Sequence, residues 1–141
     1  MDLDDHIERI TDKSIAQIFE SEGEATFRKI EHYAFRQMLD VENAIIATGG
    51  GTPCFFDNME LMNQTGITIY LEAPVSILAE RLKKEKDKRP LMKLASEFEI
   101  ENLLEKRRGV YEQADLIYHQ REVVQGVDDL VNYLSRFIKF S

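Results

Sequence analysis

Residues 44–51 read Ala-Ile-Ile-Ala-Thr-Gly-Gly-Gly. A short apolar run without polar alternation, stopped by three glycines, predicts a strand buried on both faces of a parallel sheet. Glycines at the carboxyl end of such a strand let a ligand approach the main chain and meet its N–H groups, or they form a mobile turn. Helical and strand signals alternate outward from this point. Toward the N-terminus, Ser14 with Gln17 forms one capping box and Ser21 with Glu24 a second. The second opens a helix with Phe27, Ile30, Ala34 and Met38 on one face. Met1-Asp2-Leu3-Asp4 reads as the end of a strand running into acidic residues.

Toward the C-terminus, Asp57 and Glu60 cap a short helix ending near Gly66, and Ile67–Leu71 is the next strand. Pro74 at a first helical position opens a helix over Val75–Lys84, and the charged stretch Glu85–Met92 reads as a loop. Ser96 with Glu99 caps a helix carrying Ile100, Leu103, Leu104, Arg107 and Tyr111 on one side. Leu116-Ile117-Tyr118 is a last strand, and a closing helix carries Leu130, Val131, Leu134, Phe137 and Ile138. Strands alternating with helices define an α/β fold with a parallel sheet, in which ligands sit at the carboxyl ends of the strands.

The 141 residues fit one domain, with 43% apolar and 31% charged residues and a net charge of -8. That balance gives no general attraction to nucleic acid or anionic membrane, although Lys83–Arg89 and Lys106–Arg108 are local basic patches able to hold small anions. Cys54 is the only cysteine, which fits a reducing compartment. No apolar run approaches the ~20 residues needed to span a bilayer, and the acidic N-terminus has no signal-peptide core, so a cytoplasmic setting is expected.

Several residues carry candidate chemistry. Alternation along a strand would put Asp2 and Asp4 on one face, where they could hold a hydrated Mg²⁺ and orient a hydroxyl; the other reading is an acidic helix N-terminus. Arg28 either grips a carboxylate through its fork or pairs with Glu31 on the surface. Arg107 and Arg108 are open in the same way. Arg89-Pro90-Leu91 closes the basic loop, where an arginine could swing over a transferring phosphate or simply be solvated. His6, His32 and His119 show no metal-ligand spacing, and Cys54 reads as a small apolar residue.

Taken together, these segments resemble the shikimate kinases. Asp2-Leu3-Asp4 resembles their D-x-D. Residues 21–31, Ser-Glu-Gly-Glu-Ala-Thr-Phe-Arg-Lys-Ile-Glu, resemble their E-G-E-x-x-F-R-x-x-E segment. Ile46–Gly51 resembles their glycine turn, Arg89-Pro90-Leu91 their lid signature, and Arg107 with Tyr111 their R-x-x-x-Y. The resemblance covers essentially the whole chain. It implies a three-layer α/β/α, P-loop kinase-like domain over residues 1–141 with a lid at about residues 85–96. It also implies ATP-dependent phosphorylation of the shikimate 3-hydroxyl in aromatic amino acid biosynthesis. Asp4 would orient or deprotonate that hydroxyl, and Asp2 would hold Mg²⁺ through water. Arg28 and Arg107 would clamp the shikimate carboxylate, with Gly49, Gly50 and Gly51 beside the ring. Arg89 would close over the phosphates, with Arg81 and Arg121 as further nucleotide-side candidates.

The sequence departs from the family pattern in three respects. It contains no G-x-x-x-x-G-K-[ST] loop, nor the central strand before it and the helix after it. The resemblance therefore implies about 30 further residues, one βα unit, at the start of the native protein. It also implies two half-sheets with unpaired inner edges in their absence, and a monomer when full length. The stretch from Arg81 to Arg89 is slightly long, and the Tyr111 to Asp115 spacing is one residue short, which leaves Arg108 as a rival to Arg107. Two other readings stand beside the kinase: a shikimate-binding module without turnover, and a related small-metabolite kinase, against which the paired arginines argue.

Overall fold

The computed structural model describes residues 1–84, 96–121 and 126–139. Its elements run α1 (Leu3–Thr11), α2 (Ile15–Met38), α3 (Asn58–Thr65), β1 (Ile69–Glu72), α4 (Val75–Lys84), α5 (Glu97–Tyr111), β2 (Leu116–His119) and α6 (Val127–Leu134), with a 3-10 turn at Thr52–Cys54. The expected positions of α4, α5 and the strands at 67–71 and 116–118 lie close to those observed. The expected loop at 85–92 and Arg89 lie outside the described residues.

Two of the helices start where the capping boxes put them. Ser14 accepts from the Gln17 N–H while the Gln17 side chain accepts from the Ser14 N–H, and Ser96 with Glu99 repeats the arrangement at α5. The second box, Ser21 with Glu24, does not form. The Ser21 hydroxyl donates instead to the Gln17 carbonyl inside the helix. The break falls at Gly23, whose φ of 81° and ψ of 172° interrupt α2 and let it restart. Glycine is the residue that reaches this backbone region without strain. At α3 the Asp57 side chain makes no capping bond, and the helix ends at Gly66 as expected.

The main core lies between α1 and α2. Leu3 and Ile7 of α1 pack on Ile15, Ile18, Phe27, Ala34, Phe35 and Met38, all buried, with Phe19 and Ile30 alongside. This is the face read from the i, i+3, i+4 pattern. Burying a side chain of this size contributes about 1.5–3 kcal/mol, so α2 is held by one continuous apolar stripe from before its break to its end. Ile77 and Ala79 of α4, Ile100 of α5, Tyr118 of β2 and Leu134 of α6 are buried as well.

The pairing is parallel throughout. β1 and β2 align Ile69 with Leu116 through Glu72 with His119. A second pairing, far shorter, joins Asp2 to Ala47 in parallel, with Leu3 N–H donating to Ala47 O at 3.0 Å and Ala47 N–H to Met1 O at 2.8 Å. Among the described residues no strand lies between these two pairs. The Ala44–Thr48 strand, expected to be buried on both faces, is therefore reduced to one bridge, and Ile45 is 82% exposed. The segment is held by one bridge along one edge, too little backbone pairing to fix an extended strand between covering layers.

Substituting Gly23→Ala forces a side chain into a positive-φ position. It should destabilise the protein by about 1–2 kcal/mol in a chemical melt. Gly66→Ala, at extended backbone with open space around its Cα, should change stability by less than about 0.5 kcal/mol.

Candidate active site

The three glycines each face one charged group that the sequence singled out. A Cβ on Gly51 would lie 2.5 and 2.6 Å from the Arg28 Nη2 and Nη1 atoms; on Gly50, 2.8 Å from the Tyr111 hydroxyl and 3.2 Å from Arg107 Nη1; on Gly49, 3.9 Å from Asp4 Oδ1. Contacts under 3 Å are closer than any real Cβ tolerates, so Gly51 is glycine because the Arg28 guanidinium lies flat against its Cα. Gly50 is glycine because α5 comes in over it. Asp4, Arg28 and Arg107, spread over about 100 positions of sequence, thus meet on one turn.

Arg28 is held from several sides. Nη1 donates to Glu31 Oε1 at 2.8 Å, and Nη2 makes a longer contact of 3.3 Å to Glu24. The guanidinium carbon sits 4.3 Å from the Phe55 ring centroid and 5.2 Å from that of Phe27, distances at which the ring faces attract a cation. Among the described residues the buried Nε has no hydrogen-bond partner. The pair with Glu31, open in the sequence between surface and site, is a buried one: Arg28 is 5% and Glu31 1% exposed. A buried pair of this kind is weak evidence for stability, since desolvation of both charges offsets the attraction. It does present the remaining guanidinium donors in a fixed direction.

Arg107 and Arg108 are told apart by the packing of α5. Arg107 is half-buried beside Gly50, with Nη1 3.5 Å from the Tyr111 hydroxyl. Arg108 points outward and pairs with Glu105 at 3.0 Å. Tyr111, part of the quoted R-x-x-x-Y segment but given no role of its own, is the residue the sequence reading missed. Its hydroxyl donates to the Gly50 carbonyl at 2.5 Å, and its ring lies 4.9 Å from that of Tyr70. Burial pushes the Tyr70 phenol up, with the Glu72 carboxylate acting in the same direction. The spacing of four from Arg107 was the available signal, because it stacks both side chains on one helix face.

Asp2 and Asp4 do not share a strand face. Asp2 is the N-cap of α1, its Oδ1 accepting from the Asp4 and Asp5 N–H groups at 2.8 and 3.2 Å. Asp4 stands in the first helical turn, half-buried and directed at Gly49. The helix-terminus reading of Asp2 is the one observed, since its carboxylate satisfies orphan N–H donors. Among the described residues no cluster of three or more His, Cys, Asp or Glu could hold a metal ion. Mg²⁺ commonly takes only one or two carboxylates beside phosphate oxygens and water. An exposed N-cap aspartate with one oxygen engaged is compatible with a water-mediated contact of that sort. Arg81 is exposed in the last turn of α4 and Arg121 is exposed just past β2, neither within the group around the glycines.

Cys54 closes the 3-10 turn, its Sγ 3.9 Å from the Gly50 carbonyl. Burial pushes its thiol up, against the opposing pull of Arg107 and Arg28.

An aspartate and two arginines thus converge on a glycine turn beside a parallel strand pairing in an α/β fold, an arrangement able to hold a small polar anion. Comparisons with known proteins agree with that class and narrow it. The shikimate kinase family model matches residues 1–137. A shikimate kinase of Parabacteroides distasonis is 40% identical over 144 residues, covering 98% of this chain and 83% of the relative. Crystallographic shikimate kinase from Bacteroides thetaiotaomicron superposes with a TM-score of 0.84 at 36% identity, over 96% of this chain and 81% of that one. The Acinetobacter baumannii enzyme in complex with shikimate gives 0.82 at 34%, over 98% and 79%. The chain belongs to the shikimate kinase family. It is a phosphotransferase of the P-loop kinase fold.

Gly51→Ala should displace the Arg28 guanidinium and weaken binding of a carboxylate ligand at least tenfold in a calorimetric titration, about 1.4 kcal/mol. Gly49→Ala, whose Cβ would meet only ordinary contacts at 3.7 and 3.9 Å, should change it less than about twofold, within 0.5 kcal/mol. A thiol reacts as its thiolate. With Cys54 shifted upward, alkylation by iodoacetamide followed by mass spectrometry should be slower at neutral pH than for a small free thiol. Its rise should come at higher pH.

Proposed function

We propose that this chain binds shikimate at the glycine turn and transfers to its 3-hydroxyl a phosphoryl group from ATP, giving shikimate 3-phosphate. The observation that carries the reading is the meeting of Asp4, Arg28 and Arg107 on Gly49, Gly50 and Gly51. Arg28 and Arg107 reach the turn from α2 and α5, so a carboxylate between them would be bound by two cations from separate elements. Asp4 then faces the ring side and accepts the proton of the attacking hydroxyl, holding that oxygen toward the phosphate. The Tyr111 bond to the Gly50 carbonyl keeps the turn against α5, so the ring has a fixed floor. Little covalent chemistry is required of the protein; the transfer depends on alignment and on charge.

The roles on the nucleotide side are proposals of the same reading. Arg89, in a lid at about residues 85–96 of a single domain, closes over the phosphates, with Arg81 and Arg121 as further nucleotide-side residues. Asp2 would hold Mg²⁺ through water when it binds with the nucleotide, and the ion would supply neutralisation of phosphate charge. The 141 residues contain no G-x-x-x-x-G-K-[ST] run, so the cradle for the phosphates is assigned to none of them. The full-length protein acts as a monomer in the cytoplasm. Among the described residues no helix is long and apolar enough to cross a membrane.

Calorimetry with shikimate and a coupled ADP-release assay test the reading. Arg107→Met should lower shikimate affinity at least tenfold, about 1.4 kcal/mol, while Arg108→Met changes it by less than about twofold. Asp4→Asn should lower turnover by about 10²–10⁴ with a smaller effect on binding. Binding of shikimate without ADP release would favour a binding module. Phosphorylation of another metabolite but not shikimate would overturn the substrate.

A further inference from the structure

Two polar residues with no part in the reaction above are completely buried. Thr52 and Asn58 are both 0% exposed. They are linked to each other and to the arginine clamp. The Thr52 hydroxyl donates to Glu31 Oε2 at 2.9 Å, on the opposite oxygen from the one that accepts Arg28 Nη1 at 2.8 Å. Asn58 Nδ2 donates to the Thr52 carbonyl at 2.8 Å. That bond orients the amide, so Asn58 Oδ1 is the acceptor facing His32 Nδ1, 2.5 Å away, and His32 is the donor there. His32 follows Glu31 on α2. The hydrogen bonds therefore form a closed circuit that leaves α2 at Glu31, crosses the 3-10 turn and the start of α3, and returns to α2 at His32.

We propose that Thr52 and Asn58 are positioning residues for substrate recognition: they lock the Glu31 carboxylate, and through it the direction in which Arg28 presents its free donors. The proposal rests on the reading of Arg28 as the carboxylate clamp. Its physical basis is the softness of a glutamate's terminal torsion, which is broad and has no sharp staggered minima. One contact to Arg28 leaves the carboxylate plane free to turn. A second donor on the other oxygen removes that freedom. Thr52 is also the residue after Gly51, whose Cα lies under the guanidinium. The turn that supports the face of Arg28 is thus the turn that supplies the hydroxyl fixing its partner. Without the hydroxyl, Glu31 Oε2 would be buried with an unmet acceptor and would draw Arg28 toward itself.

The test is calorimetric titration of the full chain with shikimate. Thr52→Val, close to isosteric, should weaken binding about tenfold, equivalent to about 1.4 kcal/mol. Thr52→Ser, which keeps the hydroxyl, should stay within about twofold of the parent. In an Arg28→Met background Thr52→Val should add no further loss, because the effect passes through Arg28. Unchanged affinity in Thr52→Val, an equal loss in Thr52→Ser, or the same loss with and without Arg28 would each overturn the proposal. Arg28→Met binding shikimate as the parent does would overturn the clamp itself, and with it this inference. Loss in Arg28→Met alongside intact binding in Thr52→Val would overturn the positioning role alone. Should Thr52→Val not fold by its thermal melt, Asn58→Ala acts one link further out. A loss of about threefold supports the proposal and unchanged affinity overturns it.

Discussion

The buried pair of Arg28 and Glu31 is the constraint on which the site depends. Both charges sit inside the protein, so neither can be left without a partner except at a cost of several kcal/mol, about 3–5 by analogy with other buried pairs. The surroundings are arranged around that requirement. Phe27 and Phe55 offer ring faces to the guanidinium, Thr52 donates to the far oxygen of Glu31, and Gly51 has no side chain where the guanidinium lies. An ion pair that contributes little net stability can still dictate geometry, because every neighbour must accommodate it.

The rest of the site is built by bringing two further elements to the same turn. α1 is capped by Asp2, whose carboxylate holds the Asp4 and Asp5 N–H groups and so keeps Asp4 in the first turn, opposite Gly49. α5 crosses Gly50 and is tied there by the Tyr111 hydroxyl. The apolar packing explains why these positions are steady. The α1 and α2 interface holds most of the buried hydrophobic residues, so Asp4 and Arg28 are carried on the best-packed part of the molecule. Arg107 is carried by α5, outside that cluster, and α5 is tied to the turn through Tyr111.

Legibility in the sequence followed the range of the interaction. Ser14 with Gln17 and Ser96 with Glu99 were readable because a capping box closes within four residues. The apolar face of α2 was readable from its periodicity. Ser21 with Glu24 carried the same local pattern and did not form a box, since Ser21 was already inside a helix begun at Ile15 and the break needed the positive φ of Gly23. Ala44–Thr48 failed differently: a strand forms only with partners along its edges and is buried only by layers over its faces, and the run of residues says nothing about either. Asp2 and Asp4 were two residues apart in any reading, but only the helical turn between them separates their roles.

By itself, the sequence determined the alternation of helices with strands, the parallel character of the sheet, and the set of segments that marks the shikimate kinase family. These are properties of short windows and of their order. The tertiary structure alone decided the choice of Arg107 over Arg108, the burial of Arg28 with Glu31, the capping role of Asp2, and the links through Tyr111 and Thr52. Neighbours on a helix differ by about 100° in direction, so which of two adjacent arginines faces the turn depends on what the helix packs against. The Tyr111 bond to Gly50 spans 61 residues and that of Thr52 to Glu31 spans 21. Contacts of that separation exist only after the apolar faces have packed, which is why no local pattern announced them.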